Sequence, residues 1–409
     1  MGAKQIDAAG ARQLLREAET LFLQGMSGEP RSLHAIIADD PSAISRLTIL
    51  TSFVSGINRF DCALFDNAAR VSGFFPAGAK ARDTYRQVIS TYFGVTESVR
   101  AFAADTVFIP VSPPDRSGMV TPGLSAEFVE TSLQTASQRI AIISPSLPVL
   151  PGNACLSLDR FSHSLVDTTP PLSLPSNNLG GDPVSDAIAD HLARLIGDGA
   201  TLQTGIGRVP SRLFSKLTGH RSLRIHSGLI SGEIRTLVEA GAIDPDSPMH
   251  CATLTGDTDF YHWLDGREDF RLHPIQHTHH PSTLANIDGL ITVNSAIEVD
   301  LLGQVNAEKA GDRIVSAAGG LPDFSAAGHR SPGGCSIIAL PATDTSGTRS
   351  RIVARLPDDA PVTVPRADVD FVVTEHGIAE LRGKTPDERA RALADIAAPD
   401  ARPALKRYS

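Results

Sequence analysis

A short stretch in the second half of the sequence, from His226 to Glu233, combines several residues that can take part in chemistry. The imidazole of His226 can exchange a proton near neutral pH, and Glu233 offers a carboxylate. Alternating apolar residues before His226 predict a short strand. Apolar residues at helical spacing after Ser231 predict a helix capped by Ser231. Because open α/β sheets bind ligands where a strand leads into a helix, we expect a functional site here.

Two glycine-rich segments can bring a ligand close to the backbone. A predicted strand that includes Gln203 and Thr204 leads into Gly205-Ile206-Gly207, and a helix follows. This order can cradle a phosphate or form a tight structural turn, and Pro210 stands where a full dinucleotide fingerprint would have its third glycine. The second segment, Gly319-Gly320, can turn N–H groups toward an oxyanion or a thioester carbonyl. It is equally consistent with a loop that needs positive φ.

Histidines between His273 and His280 are the obvious candidates for metal binding. His277 and His279 would share one face of an extended segment, as a metal site on a strand requires. No cysteine or carboxylate lies close by in the sequence, so we expect no bound metal and interpret these histidines as a polar wall or as surface residues. Glu375 is predicted at the end of a strand. This is either a pocket position or a place where the helix dipole favours an acid.

Composition excludes several classes of protein. The chain has 409 residues, 41% of them hydrophobic and 20% charged, with a net charge of −9. The negative charge argues against nucleic acid or an anionic membrane as the main partner. Four cysteines without paired spacing suggest reduced thiols and a cytoplasmic protein. No signal peptide is recognisable, and no apolar run approaches the roughly 20 residues that span a bilayer.

The length is too great for one ordinary hydrophobic core, so two domains are expected. Predicted strands alternate with predicted helices, such as Ala8 to Phe22, which favours an α/β fold with mostly parallel sheets. The segment from Asp159 to Pro183 is rich in Ser, Pro, Asn and Gly and is the best linker candidate. We therefore predict one α/β domain over residues 1–170 and a second over residues 183–409.

A set of motifs in fixed order carries a resemblance. The motifs are Val111-Ser112-Pro113-Pro114-Asp115-x-x-Gly118, Gly205-Ile206-Gly207-x-x-Pro210, Asn294-Ser295-Ala296-Ile297-Glu298-Val299-Asp300-Leu301-x-Gly303-Gln304-Val305-Asn306, Gly319-Gly320-x-x-Asp323-Phe324, Ser350-Arg351-Ile352-Val353 and Thr374-Glu375-x-Gly377-Ile378-Ala379-x-Leu381-Arg382-Gly383. This set resembles the acetyl-CoA hydrolase/transferase family, which includes the 4-hydroxybutyrate and succinyl-CoA:acetate CoA-transferases. The match runs from about Gly28 to the C-terminus and is densest after about residue 200.

The resemblance implies two similar α/β halves with the active site in the cleft between them, and a homodimer. It also implies acyl-CoA as substrate and a small carboxylic acid as the second substrate. In the family a glutamate carboxylate attacks the thioester and becomes a glutamyl-CoA thioester. On matching positions Gln203, Thr204, Gly205, Ile206 and Gly207 would line the CoA together with Gly319. Gly320 would belong to the oxyanion hole, and His279 falls where some members carry an oxyanion-stabilising asparagine.

The sequence departs from the family at the nucleophile. Transferases of the family read like His-Thr-Glu-Met-Ile-Ser-Asp-Gly, whereas here Gly228 occupies the glutamate position. A second departure is Cys335, where many members have lysine. We expect the missing side chain at Gly228 to leave room for water or a bulkier acceptor, and this glycine to be a candidate for positive φ.

Three hypotheses follow from the missing glutamate. The first is direct acyl transfer to an acceptor or to water, the latter being thioesterase activity, with acid–base groups drawn from His226, His279, Glu233 and Glu375. The second is conventional CoA transfer with Glu233 or Glu375 as a relocated nucleophile. The third is a non-catalytic CoA-binding homologue.

Overall fold

The computed structural model describes residues 2–58, 66–77, 85–150, 155–174 and 182–408. It divides the chain into two compact units, one made of Met1–Pro175 with His250–His277 and the other of Ser176–Met249 with Thr278–Ser409. Cys62 and the centre of the predicted linker lie outside the described residues. Of the described cysteines, Cys155, Cys251 and Cys335 form no disulfide.

The segment His250–His277 corrects the predicted domain boundaries, because the sequence analysis placed it in the second domain. Its backbone hydrogen bonds explain why it belongs to the first unit. The N–H of Leu254 donates to the carbonyl oxygen of Leu124 at 2.8 Å, and the N–H of Ile275 donates to that of Glu127 at 3.0 Å. Ile275 is also fully buried in a core of the first unit.

The first unit is built on an eight-stranded parallel sheet in the order β1-β10-β8-β6-β2-β3-β4-β5. The strands of residues 2–174 are β1 (Lys4–Gln5), β2 (Thr20–Leu23), β3 (Thr48–Thr51), β4 (Arg70–Gly73), β5 (Tyr85–Gln87), β6 (Thr106–Val111), β7 (Met119–Val120), β8 (Gln138–Ile143), β9 (Leu156–Ser157) and β10 (His163–Val166). The helices are α1 (Ala8–Glu17), α2 (Ser32–Asp39), α3 (Tyr92–Phe102) and α4 (Val129–Thr135).

Alternating side chains of the central strands fill one core on each face of this sheet. Leu21 and Leu23 pack on the face covered by α1 and α2, and Phe22 packs on the opposite face with α3 and α4. This alternation explains why the helix predicted from Ala8 to Phe22 ends at Glu17 instead. Leu21, Phe22 and Leu23 direct apolar side chains to both faces, as a strand buried on both sides requires.

Residues 182–255 contain α5 (Pro183–Ala193), β11 (Thr201–Thr204), α6 (Arg208–Lys216), β12 (Arg224–Ile225), β13 (Leu229–Ser231), α7 (Ile234–Glu239), β14 (Met249–Cys251) and β15 (Thr253–Thr255). Residues 256–408 contain α8 (Thr258–Leu264), β16 (Phe270–Leu272), α9 (Ile275–Thr278), α10 (Pro281–Ala285), β17 (Leu290–Asn294), β18 (Glu298–Asp300), β19 (Val305–Asn306), β20 (Lys309–Ala310), β21 (Arg313–Ile314), α11 (Leu321–Arg330), β22 (Cys335–Ala339), β23 (Ile352–Val353), β24 (Phe371–Thr374), β25 (Gly377–Glu380), α12 (Pro386–Ile396) and α13 (Arg402–Leu405). In the part of the chain that the structure describes, no helix is long and apolar enough to cross a bilayer.

The second unit is built on a six-stranded sheet in the order β12-β11-β17-β22-β24-β25. The first five strands are parallel, and β25 pairs antiparallel with β24. Two mostly or wholly parallel sheets packed with helices confirm the predicted α/β fold class. The predicted cap of α7 is wrong: Ser231 belongs to β13, and Glu233 occupies the N-cap position.

Candidate functional site

The carboxyl ends of the parallel strands in the second unit meet at one edge of the sheet. Thr204 ends β11, Ile225 ends β12, Asn294 ends β17 and Thr374 ends β24. This is the edge at which open parallel sheets bind ligands. Of the sequence-predicted site residues, Gly205 to Gly207 follow β11, His226 and Gly228 follow β12, and Glu375 follows β24. His279, Gly319 and Gly320 do not directly follow a strand of this sheet.

The loop Gly205-Ile206-Gly207 connects β11 to α6. A Cβ atom added to Gly205 or Gly207 would meet nothing within 4 Å, so this backbone borders open space. Gly207 has a φ of 128°, which favours glycine, and it precedes the first turn of α6. Behind the loop, the amides of Gln203 and Asn294 hydrogen-bond to each other at 3.2 and 2.9 Å. The result is an accessible backbone loop on a fixed support at a helix N-terminus, an arrangement that suits a phosphate.

A different arrangement surrounds Gly228, because the imidazole of His279 lies against this glycine and against Gly320. A Cβ atom at Gly228 would stand 2.8 Å from Cε1 and 3.0 Å from Nε2 of His279. A Cβ atom at Gly320 would stand 2.6 Å from the same Nε2. The structure therefore brings Gly228, His279 and Gly320 together as one group, which we call the glycine–histidine group.

The His279 side chain is enclosed, with 2% of its surface exposed. Its ring contacts Phe324 edge to face, with 4.7 Å between the ring centroids, and its Nδ1 hydrogen-bonds to the hydroxyl of Thr278 at 2.9 Å. Burial lowers the pKa of His279 to about 3, with a smaller contribution from the neighbouring His226. The imidazole is therefore neutral at physiological pH, with Nε2 directed at the two glycines.

His226 supports this group from the side. Its Nε2 donates to the carbonyl oxygen of Thr278 at 2.9 Å, and 5% of the residue is exposed. Since a carbonyl oxygen only accepts, Nε2 of His226 carries the proton. The bond fixes the backbone directly before His279, so His226 acts on the position of the second histidine.

Two expectations about this group are wrong. The space beside Gly228 is filled by the His279 ring, so the missing side chain does not leave room there. Gly228 is also absent from the described glycines with positive φ, so its constraint is steric contact and not backbone strain.

The expected pairing of His277 with His279 is also wrong. Residues 275–278 form the helix α9 rather than an extended segment. His277 lies in the first unit with His250 and His273, whereas His279 belongs to the second unit.

The two glutamates considered as relocated nucleophiles have structural partners. Glu233 Oε1 accepts from the hydroxyl of Ser211 at 2.9 Å. Glu375 Oε2 accepts from the N–H of Ala342 at 2.8 Å. Glu375 follows β24, which is separated from β12 by four strand spacings, or roughly 19 Å at about 4.8 Å per strand. Both carboxylates thus already accept hydrogen bonds within the fold.

Sequence reasoning missed two members of the site. Phe324 was quoted only as part of a motif, and Thr278 was not singled out. Phe324 packs on His279 from a distant part of the chain, which no local pattern reports. Thr278 directly precedes His279, and only its hydrogen bonds to His279 and His226 reveal its part in the site.

Comparison with known proteins identifies relatives of this chain. Residues 256–409 match the model of the acetyl-CoA hydrolase/transferase C-terminal domain. The chain is 35% identical over 307 residues to 4-hydroxybutyrate coenzyme A transferase of Clostridium kluyveri, covering 74% of this chain and 71% of that protein. It is 30% identical over 257 residues to an acetyl-CoA hydrolase of Neurospora crassa, covering 59% and 48% of the two chains.

Solved structures agree over nearly the whole chain. A 4-hydroxybutyrate CoA-transferase from Porphyromonas gingivalis superimposes with a TM-score of 0.83 at 25% identity, covering 99% of this chain and 96% of that one. RipA from Yersinia pestis gives a TM-score of 0.90 at 24% identity with the same coverage, which shows a shared fold.

The fold and the glycine loops at the carboxyl edge of the sheet define a protein of the CoA-transferase class. Together with these relatives they show that the chain belongs to the acetyl-CoA hydrolase/transferase family. The predictions of this family and of an enzyme of this kind are confirmed.

Proposed function

We propose that the protein is an acyl-CoA-processing enzyme that passes CoA or the acyl group of a thioester to a carboxylate or to water without a glutamyl-CoA intermediate at position 228. The observation that carries the proposal is the glycine–histidine group. The space next to the nucleophile position is taken by a buried neutral imidazole that contacts Gly228 and Gly320. The family relatives that act as CoA-transferases and as an acetyl-CoA hydrolase support thioester chemistry.

In this proposal the backbone loop of Gly205 to Gly207 holds the phosphate-bearing part of CoA. Its support is the open space over the loop, together with the N-terminus of α6. Gln203 and Thr204 support the loop, and Gly319 with Gly320 lines the thioester end. These assignments are predictions for binding measurements on CoA.

The reaction follows from the residues at hand. The acceptor oxygen attacks the thioester carbonyl carbon, the C–S bond breaks, and the thiolate leaves with the electron pair. With water the products are a carboxylic acid and CoA. With a carboxylate the first product is a mixed anhydride, and the released thiolate then attacks the acceptor-derived carbonyl to give the new acyl-CoA and the donor acid. In this proposal an N–H at His279 Nε2 and the Gly320 backbone stabilise the oxyanion.

The test combines turnover with mapping of covalent adducts. Native protein is incubated with acetyl-CoA, with and without succinate or 4-hydroxybutyrate, and thiol release and new acyl-CoA are measured. Parallel samples are reduced with borohydride and mapped by peptide mass. We expect turnover without a modified glutamate. A modified Glu233 or Glu375 would instead support the hypothesis of a relocated nucleophile. Absence of both turnover and CoA binding would contradict the proposal that the protein is an enzyme.

A matched variant gives the adduct experiment its positive control. Gly228→Glu alone introduces a Cβ atom 2.8 Å from the His279 ring, so we expect little adduct. Gly228→Glu combined with His279→Asn removes that contact and restores the glutamate and asparagine found in some family members. We expect this double variant to form more glutamyl-CoA than the single variant. The homodimer stays a prediction, which light scattering can test by measuring the molar mass in solution. The cytoplasmic location also stays a prediction.

A further inference from the structure

Three histidines of the first unit come together as a separate set of side chains. His250 lies on β14, and His273 directly follows β16, the strand hydrogen-bonded to β14. The N–H of His273 donates to the carbonyl oxygen of Cys251 at 2.8 Å, which sets the two imidazoles side by side. His277 lies on α9, four residues after His273. Two strands and a helix thus present one imidazole each.

The ring nitrogens of these histidines converge. Nδ1 of His250 is 2.8 Å from Nε2 of His273, and the two rings are stacked with centroids 5.1 Å apart. The rings of His273 and His277 have centroids 4.1 Å apart. One nitrogen from each residue lies within 4.8 Å of the other two. Ligands of a tetrahedral ion at about 2.0–2.1 Å lie roughly 3.3 Å from one another, a spacing inside the observed range.

We propose that His250, His273 and His277 bind one transition-metal ion of the zinc class, with a fourth position left to water. The sequence analysis expected no metal because it paired His277 with His279, and the fold replaces that pair with a three-histidine set. Three imidazoles without a carboxylate or thiolate suit Zn²⁺, Cu²⁺ or Ni²⁺ and do not suit Mg²⁺ or Ca²⁺.

The ion would join β14, β16 and α9 within the first unit. A metal that binds the folded state and not the unfolded chain raises stability in proportion to its binding free energy. Metal binding would therefore connect these elements and stabilise the first unit. The existence of the site does not depend on the thioester reaction.

The test uses chelator-treated full-length protein titrated with zinc chloride, with calorimetry for binding and thermal unfolding for stability. We expect one ion per chain and a higher melting temperature with zinc. His273→Gln and His277→Gln should each weaken binding by about tenfold or more and remove the thermal shift. The control is His262→Gln, an exposed histidine of α8 outside the cluster, which should bind as the native protein does.

Circular dichroism of each variant without metal separates loss of the site from loss of the fold. If one variant fails to fold, His250→Gln replaces it. The proposal is overturned by absence of saturable stoichiometric zinc binding. Binding that is unchanged in folded variants also overturns it, because the 2.8 Å contact would then be a hydrogen bond between two imidazoles without a metal role.

Discussion

The contact between Gly228 and His279 predicts a specific cost for adding one methyl group. In Gly228→Ala the new Cβ atom would stand 2.8 Å from Cε1 of His279. Carbon atoms pack best at about 3.5–4.0 Å, so the contact is roughly 0.7 Å too short. The backbone at Gly228 is not in the positive-φ region, so strain in φ adds nothing.

The imidazole has little freedom to move away from this methyl group. It is 2% exposed, and the Phe324 ring stands 4.7 Å from it. Overpacking of an enclosed site costs about 1–3 kcal/mol. We therefore expect Gly228→Ala to lower the free energy of unfolding by about 1–3 kcal/mol, as measured by urea titration followed by circular dichroism.

A double-mutant cycle attributes that cost to His279. In a His279→Ala background the ring is gone, so the added methyl should cost less by about 1 kcal/mol or more. Gly219→Ala is the control. Its Cβ atom meets nothing within 4 Å and its φ is not positive, so the change should stay within about 0.5 kcal/mol. The reasoning is refuted if Gly228→Ala costs the same with and without the ring.

Two further predictions concern buried carboxyl groups. Glu375→Gln keeps an acceptor for the N–H of Ala342 and should retain turnover. Glu375→Ala removes that acceptor and should lower the free energy of unfolding by about 1–3 kcal/mol. Loss of turnover in the Gln variant would instead mark a catalytic carboxylate. Burial raises the pKa of Glu127, which accepts from the Tyr92 hydroxyl at 2.7 Å, to about 7. Because the folded pKa lies above the unfolded value, stability should fall by roughly 3 kcal/mol as pH rises from about 4.5 to 7, and Glu127→Gln should remove that fall in urea titrations at several pH values.

Strand–helix alternation and apolar runs were enough to predict the parallel sheets, because those signals are local. They also placed β11, β17 and β24 before the loops that now form the carboxyl edge. The helix predicted from Ala8 to Phe22 was too long because the short apolar run Leu21-Phe22-Leu23 fits a helix as well as a buried strand. The sheet pairing of Thr20–Leu23 decides between them, and that pairing is a long-range property.

The histidines show the same limit more sharply. His277 and His279 are two residues apart, and a strand period would put them on one face. The helix Ile275–Thr278 breaks that period, and His277 instead lies with His250 and His273. His250 is more than twenty residues from either neighbour in the sequence, and only the pairing of β14 with β16 brings it near. No spacing rule could have assembled this set.

Position 228 carries a different lesson. Taken alone, Gly228 offers no side chain that could react with a thioester. In space, the imidazole of His279 lies where a side chain at position 228 would be, so the two compete for the same volume. Gly320 meets the other side of that ring, so three positions far apart in the sequence are coupled by one contact surface. A neutral imidazole enclosed by two glycines can donate or accept one hydrogen bond, but with its pKa lowered to about 3 it cannot hold a positive charge near neutral pH. This chemistry suits polarisation of a carbonyl group. The direct transfer that we propose rests on this packing of His279 as well as on the absence of a side chain at Gly228.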